Sequence, residues 1–273
     1  MNNRSVAFIG AGNMTAAIVS GMVKNGYPSD LITASNPSIG KLVALQELHG
    51  INTTQDNHQA VNSSHVIVLA VKPQLMEQVC QDLAKHTDLT NKVFVSIAAG
   101  IDCQRLLEML AGDYPLIRTM PNTPSSLGKG MTGIYAPTSI TEDDKNFVFT
   151  MMNGIGEAVW VDKESDIDLV IATAGSSPAY FFLFLEAMQQ HAMTLGMDKT
   201  TSRKLVQQAM LGAAEMVCHN ETLELSELRA QVTSKGGATA EAIECFQSGD
   251  LPKLVANAMD AAISRAKQMS QQF

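Results

Sequence analysis

Two short stretches hold residues whose types and spacing could do chemistry. Gly10-Ala-Gly12-Asn13-Met14-Thr15 directly follows the apolar run of residues 6–9 and opens the helical stretch Ala16-Ala-Ile-Val19. A strand, a glycine turn and a helix N-terminus in that order make a site for a dinucleotide pyrophosphate. Gly10 permits the tight turn, Gly12 lets the backbone approach the phosphates, and the free N–H groups and positive dipole end of the helix face the anion. The competing reading is a glycine turn that only joins strand to helix. Thr15 stands where the fingerprint carries its third glycine or alanine, at a close helix–strand contact. The second stretch is Thr233-Ser-Lys-Gly-Gly-Ala-Thr239, ahead of a helical pattern over 240–246. A Gly-Gly turn at a helix start presents backbone donors to a small carboxylate, with Thr239 bonding a second polar atom of the same ligand. Its alternative is a helix start capped by Ser234 or Thr233.

Four further segments fall where strands should end. Thr33-Ala-Ser-Asn-Pro-Ser38 lacks the carboxylate that binds the ribose 2′-OH of NAD. Hydroxyl and amide donors at Ser35 and Asn36 instead accept a 2′-phosphate, which favours NADPH, with NADH as the alternative cofactor; otherwise the segment is a plain turn. Ala70-Val-Lys-Pro73 and Ser96-Ile-Ala-Ala-Gly100 close two more strands. Lys72 either reaches the cofactor or caps the sheet edge, Pro73 suits a first helical position, and Ala98, Ala99 and Gly100 leave room for a flat ring. Arg118-Thr-Met-Pro-Asn-Thr-Pro124 forms a stiff loop in which Asn122 and Thr123 either contact ligand or serve the turn.

These segments need a frame. Up to about residue 162 apolar strand candidates at 6–9, 31–34, 66–71, 93–98, 116–120, 133–136 and 158–161 alternate with helical patterns at 14–25, 41–49, 74–85 and 103–110. Runs such as His65-Val-Ile-Val-Leu-Ala-Val71 are apolar throughout, as a parallel strand covered on both faces should be. Residues 1–162 are therefore expected to form a Rossmann-type doubly wound sheet domain of the α/β class. Residues 163–273 show only helical spacing and should form an all-helical second domain. Its helices are apolar on more than one face, so they bury against either a second subunit or the sheet domain.

The chain has 273 residues and a net charge of −8, which disfavours a nucleic-acid or anionic-membrane partner. Cys80, Cys103, Cys218 and Cys245 lie far apart and read as reduced intracellular thiols. The six histidines form no H-x-x-x-H pair, which argues against metal catalysis, and no metal site is expected. The first strand begins by Val6 without a signal-peptide pattern, and the longest apolar run, 179–185, is short for a bilayer. The expected compartment is the cytoplasm.

Taken together the motifs resemble one family, pyrroline-5-carboxylate reductase, over nearly the whole chain. The resemblance rests on Phe8-Ile-Gly-Ala-Gly-Asn-Met14, Ala70-Val-Lys-Pro73, Arg118 with Met120-Pro-Asn-Thr-Pro124, Gly175-Ser-Ser-Pro-Ala-Tyr180 and Leu228-Arg-Ala-Gln-Val-Thr-Ser-Lys-Gly-Gly-Ala-Thr239. It implies NAD(P)H-dependent reduction of 1-pyrroline-5-carboxylate to L-proline, the last step of proline synthesis. It also implies a helical domain interlocked with its partner in a homodimer, often within larger rings. The cofactor contacts it implies are the loop from Phe8 through Ile9, Gly10, Ala11, Gly12 and Asn13 to Met14, then Ser35, Asn36 and Asn57, and Ala70, Val71 and Lys72. The substrate contacts are Gly236, Gly237, Ala238 and Thr239, with Glu164. Thr15 and Lys235 depart from the family's usual Gly or Ala and Pro. A protonated imine is a good electrophile, so the expected mechanism is mostly positioning and desolvation. The N–H groups of Gly236, Gly237 and Ala238 would hold the carboxylate, and Thr239 would be the catalytic residue, orienting the ring nitrogen or relaying its proton. A related dehydrogenase of 3-hydroxy acids would need a lysine in the first long helix of the second domain, and residues 174–195 contain none. A nucleotide-binding regulator would not need the 236–239 loop.

Overall fold

The computed structural model describes residues 3–272. The chain divides into two compact units: residues up to Ser176 together with the segment from Ala261 onward, and Ser177–Asp260.

The first unit is built on one eight-stranded sheet: β1 (Val6–Ile9), β2 (Ile32–Ser35), β3 (Asn52–Thr54), β4 (Val66–Leu69), β5 (Val93–Ser96), β6 (Leu116–Met120), β7 (Gly130–Tyr135) and β8 (Gly156–Trp160), in the order β3-β2-β1-β4-β5-β6-β7-β8. β1 to β6 run parallel, β7 is antiparallel to β6, and β8 is parallel to β7. The crossovers are α1 (Asn13–Lys24), α2 (Ile39–His49), α3 (Asn57–Asn62), α4 (Pro73–His86), α5 (Cys103–Met109) and α6 (Glu142–Asn153), followed by α7 (Asp166–Val170). Alternation along β1 explains why this sheet needs helices on both faces. Val6 and Phe8 enter one core with Ile18, Met22 and Val148, while Ala7 and Ile9 enter another with Met76, Leu83 and Leu106. All four β1 residues are buried, and each large one contributes about 1.5–3 kcal/mol by leaving water. The chain crosses from β3 back past β1 to reach β4, so the strand order reverses between β1 and β4. Ligands of such sheets bind beside the carboxyl ends of the strands at that point.

The sequence expectations hold for the Rossmann-type unit, with two differences. β3 is a three-residue polar edge strand with no hydrophobic signal. The strands ending at Leu69 and Ser96 are shorter than the apolar runs that contain them, so Ala70–Val71 and Ile97–Ala98 lie beyond the sheet edge.

The expected boundary at 162/163 marks the last strand, whereas the compact division falls after Ser176. Ile167 and Ile171 are buried with Ala266 against Met120, Tyr135 and Val161, which keeps α7 and the π-helical turn 171–175 with the sheet. Helical spacing shows that a face is apolar, not which neighbour covers it.

The second unit contains α8 (Ser177–Thr194), α9 (Lys199–His219), α10 (Leu225–Gln231), α11 (Ala238–Ser248) and the start of α12 (Leu251–Gln272). α8 packs along α9, and Phe184 meets Phe246 with ring centroids 5.8 Å apart. Asp198 caps α9 by accepting from the Thr200 and Thr201 N–H groups. Much of the apolar surface is not covered within the chain: Phe182, Leu183 and Leu254 are 66%, 67% and 63% exposed. The 29 residues from Asp166 to Thr194 are also long and apolar enough to cross a membrane by length and composition. The shorter estimate from 179–185 counted only the uninterrupted apolar run.

Candidate dinucleotide site and glycine loop

The register of the sheet brings four predicted segments to one edge. Ile9 pairs with Ser35 on one side and Leu69 on the other, and Leu69 pairs with Ser96. The turns after β1, β2, β4 and β5 therefore leave the sheet at the same level. Gly10 has φ +109°, and a Cβ there would lie 2.6 Å from the Ala70 carbonyl oxygen. Only glycine fits, because both the dihedral and the space exclude a side chain. A Cβ at Gly12, by contrast, would meet nothing within 4 Å. Gly12 caps α1 without any side-chain cap. Among the described residues the Gly12, Asn13 and Met14 N–H groups have no partner, so open space and free donors coincide, as a pyrophosphate requires.

Thr15 is fully buried, and its hydroxyl donates to the Gly10 carbonyl at 2.7 Å. The residue that departs from the fingerprint thus ties α1 to the glycine turn and satisfies its own polar atom. The turn is fastened to β2 as well: the Gly10 N–H donates to the Ser35 carbonyl at 2.8 Å and the Ala11 N–H to Asn36 Oδ1 at 3.2 Å.

The residues expected to read the 2′-position are differently placed. Ser35 is fully buried and its hydroxyl donates to Asn57 Oδ1 at 2.7 Å. Ser35 and Asn57 therefore hold each other and brace β2 against α3. Asn36 Nδ2 donates to the Ser38 carbonyl at 3.2 Å. The exposed donors at this edge are instead at the start of α2, where Ser38 is an N-cap with no side-chain bond and Lys41 is exposed. Lys41 lines a cavity of about 450 Å³ together with Ala11, Gly12 and Asn13. Sequence reasoning missed it because the helix was read as beginning at Lys41, whereas it begins at Ile39. A cation in the first turn of a helix opposes the helix dipole, and that mismatch was the available signal.

Lys72 is exposed at the N-cap of α4, with Pro73 as the first helical residue and Ala70 and Val71 half-buried. Ala98 is buried and its N–H donates to Ser96 Oγ at 3.2 Å. Ala99 is half-buried. Gly100 is buried with φ +77°, and a Cβ there would meet Met269 at 2.8 Å. Its missing side chain makes room for α12 rather than for a ring.

The glycine loop lies in the second unit. Gly236 has φ +70°, and Gly237 caps α11 with no side-chain cap. The Gly237 N–H donates to the Ser234 carbonyl at 3.0 Å, so it is not a free donor for a carboxylate. The Gly236, Ala238 and Thr239 N–H groups have no partner among the described residues, nor does the Thr239 hydroxyl. Thr233 Oγ1 donates to the Arg229 carbonyl at 2.6 Å. Neither Thr233 nor Ser234 caps the helix, and the N-terminus of α11 is left with open backbone donors.

Three comparisons bear on this arrangement. A family model described as "Pyrroline-5-carboxylate reductase dimerisation" matches residues 164–269, and one described as "NADP oxidoreductase coenzyme F420-dependent" matches 5–100. A pyrroline-5-carboxylate reductase from Vibrio alginolyticus is 54% identical, with all of both chains covered. The chain belongs to the pyrroline-5-carboxylate reductase family. Among solved structures, the reductase from Coxiella burnetii superposes with a TM-score of 0.92 at 39% identity, covering 98% of this chain and 99% of that one. The Plasmodium falciparum pyrroline carboxylate reductase, solved with NADP bound, gives 0.86 at 27% identity, covering 99% of each. Members are NAD(P)H-dependent oxidoreductases that reduce 1-pyrroline-5-carboxylate to L-proline, the final step of proline biosynthesis, and this chain is one of them.

Glu164, a substrate contact by the family resemblance, and Asn122, read from the sequence as either a ligand contact or a turn residue, both have structural partners here. Glu164 Oε1 accepts from the Cys103 N–H at 2.6 Å and from Arg118 Nη1 at 3.2 Å. The side chain of Arg118 is only 5% exposed, so Glu164 neutralises a buried cation. Burial, and then the Glu164 carboxylate, push the Cys103 thiol up. The Tyr135 hydroxyl is raised by the same causes in the same order, and burial pushes the Cys80 thiol up to about 12. Each of these shifts disfavours the ionised, nucleophilic form. Asn122 is buried, donating to the Ala174 carbonyl and accepting from the Met131 N–H, both at 2.9 Å. Its amide serves the turn, not a ligand.

Proposed function

We propose that this reductase prefers NADPH, that the turn at Gly10–Met14 holds the pyrophosphate, and that the loop Gly236–Thr239 takes the cyclic imino acid. The observation that carries the substrate assignment is the uncapped start of α11, where the Gly236, Ala238 and Thr239 N–H groups and the Thr239 hydroxyl have no partner among the described residues. A carboxylate supplies the acceptor that this helix end lacks. Bound cofactor supplies the hydride. The protein's part is to hold the C=N carbon for attack and to give the nitrogen a hydrogen-bond partner as the π pair moves onto it. Loss of NADPH absorbance on adding 1-pyrroline-5-carboxylate tests the assignment.

The preference for NADPH rests on the start of α2. Its first N–H groups, which have no partner among the described residues, would take a 2′-phosphate together with Ser38 and Lys41, beside a strand end that carries no carboxylate. Asn36→Asp should shift the kcat/KM ratio toward NADH by at least about tenfold, equivalent to 1.4 kcal/mol. Lys41→Ala should raise KM for NADPH by about the same factor and leave KM for NADH unchanged. Unchanged relative KM values in both variants would remove this assignment.

The homodimer, and any larger ring, are proposed on the exposed apolar faces of α8, α9 and α12 and on the match to a dimerisation family. Patches of this kind mark interfaces in soluble proteins. The same reading gives Asp166–Thr194 a protein partner rather than a lipid one, and a cytoplasmic location is proposed from the biosynthetic role of its relatives. Light scattering at nanomolar concentration should show a dimer or larger; an active, folded monomer would contradict it.

A further inference from the structure

Away from the turns described above, α3 and the end of α4 bring three metal-binding side chains together. His58 is the second residue of α3, and Asp82 and His86 lie one turn apart in the last turns of α4. His58 Nε2 is 3.1 Å from Asp82 Oδ2, and His86 Nδ1 is 3.0 Å from Asp82 Oδ1. One ligand atom from each residue falls within a set whose members are all within 4.8 Å of one another. We propose that His58, Asp82 and His86 form a binding site for one divalent transition-metal ion of the zinc class.

The chemistry of the donors decides the class. Two imidazoles and a carboxylate suit zinc, and also cobalt or nickel, better than calcium or magnesium, which take oxygen ligands. Zinc–nitrogen and zinc–oxygen bonds of about 2.0–2.2 Å at tetrahedral angles place ligand atoms about 3.4 Å apart. His58 Nε2 and His86 Nδ1 lie 3.1 and 3.0 Å from opposite oxygens of the Asp82 carboxylate, and His86 Nδ1 is also 3.1 Å from the Asp82 carbonyl oxygen, so one ion is reached by turning the carboxylate and the His86 ring toward it. That needs only side-chain rotation, because the Asp82 and His86 side chains are 49% and 61% exposed.

A second observation is independent of the cluster's proximity. His58 Nδ1 lies 2.6 Å from Thr87 Oγ1. When the ring donates Nδ1–H to that hydroxyl, Nε2 is left with its lone pair directed at the cluster. Metal-bound histidines are normally held in this way by an outer partner that fixes the tautomer. Thr87 is itself fixed as the C-cap of α4, its N–H donating to the Leu83 carbonyl at 3.0 Å. The site leaves no H-x-x-x-H pattern in the sequence, because one helix supplies an Asp–His pair at i, i+4 and the second histidine comes from another helix. A bound ion would clamp α3 to α4, one residue from the Asn57 that braces β2.

The test uses untagged full-length protein, stripped with chelator and dialysed. Zn2+ titration by calorimetry should give one ion per chain, and Co2+ should give a spectrum of nitrogen and oxygen ligation without thiolate charge transfer. His86→Ala and Asp82→Asn should each weaken binding by more than tenfold, and Thr87→Val by about tenfold, as loss of an outer partner does. NADPH-dependent reductase activity of the metal-free His86→Ala enzyme should equal that of metal-free wild type, which separates this site from the reaction. Absence of stoichiometric binding, equal affinity in wild type and His86→Ala, or a thiolate band from Cys218 or Cys245 would overturn the proposal.

Discussion

Thr239→Ala is expected to lower kcat/KM for 1-pyrroline-5-carboxylate by roughly 10- to 150-fold. The protonated imine nitrogen is cationic until hydride attack moves the C=N π pair onto it, so a hydrogen bond between that nitrogen and the Thr239 hydroxyl has a charged partner as the reaction begins. Such a bond is worth about 1.5–3 kcal/mol, and that range converts to the fold-change stated. KM for NADPH should stay within about twofold, since no phosphate donor is removed. Thr239→Ser should retain most activity because it keeps the hydroxyl. The structure sharpens the contrast with a capping role. The cap of α11 is Gly237, and the Thr239 hydroxyl bonds to nothing among the described residues. The melting temperature should therefore hardly move. Normal efficiency with a lowered melting temperature would mean that Thr239 supports the helix and not the reaction.

Glu164→Gln is the second large effect, and it should appear in stability. The variant keeps an oxygen for the Cys103 N–H but removes the counter-charge of Arg118, whose Nε already has no partner among the described residues. Leaving one member of a largely buried ion pair uncompensated costs about 3 kcal/mol. For a protein of this size that corresponds to a fall in melting temperature of about 6–12 °C. KM for the imino acid should be near wild type at a temperature where the variant is folded. A raised KM with an unchanged melting temperature would instead assign Glu164 to the substrate, as the family resemblance implies.

How much could be read from the sequence depended on whether a signal was local. The turn at Gly10–Met14, the buried strands and the helical character of everything after α7 are each set by residues adjacent in the chain. The glycines, the unbroken apolar runs and the 3.6-residue spacing all report on their own segment. What escaped was set by partners distant in sequence. Asn122 was open to a ligand role until its amide was seen bonded to Ala174 and Met131. Ser35 looked like a phosphate donor because hydroxyls at strand ends often are, yet it faces Asn57 in the interior. Thr15 looked like a defect in the fingerprint and proves to be a fastening, because its hydroxyl reaches back to Gly10. In the glycine loop the sequence marked candidate residues but not which of their N–H groups have partners among the described residues. Ser234 accepts from Gly237, and the open donors are those on either side of it.

This chain is expected to reduce a five-membered cyclic imine with NADPH. The most direct measurement follows NADPH oxidation and L-proline formation together, in one reaction containing purified protein and 1-pyrroline-5-carboxylate. A six-membered cyclic imino acid and a 3-hydroxy acid with NADP+ serve as parallel reactions. The predicted result is one L-proline formed per NADPH consumed, with no turnover of the hydroxy acid. NADPH that is bound but not oxidised, or oxidised without the appearance of proline, would contradict it.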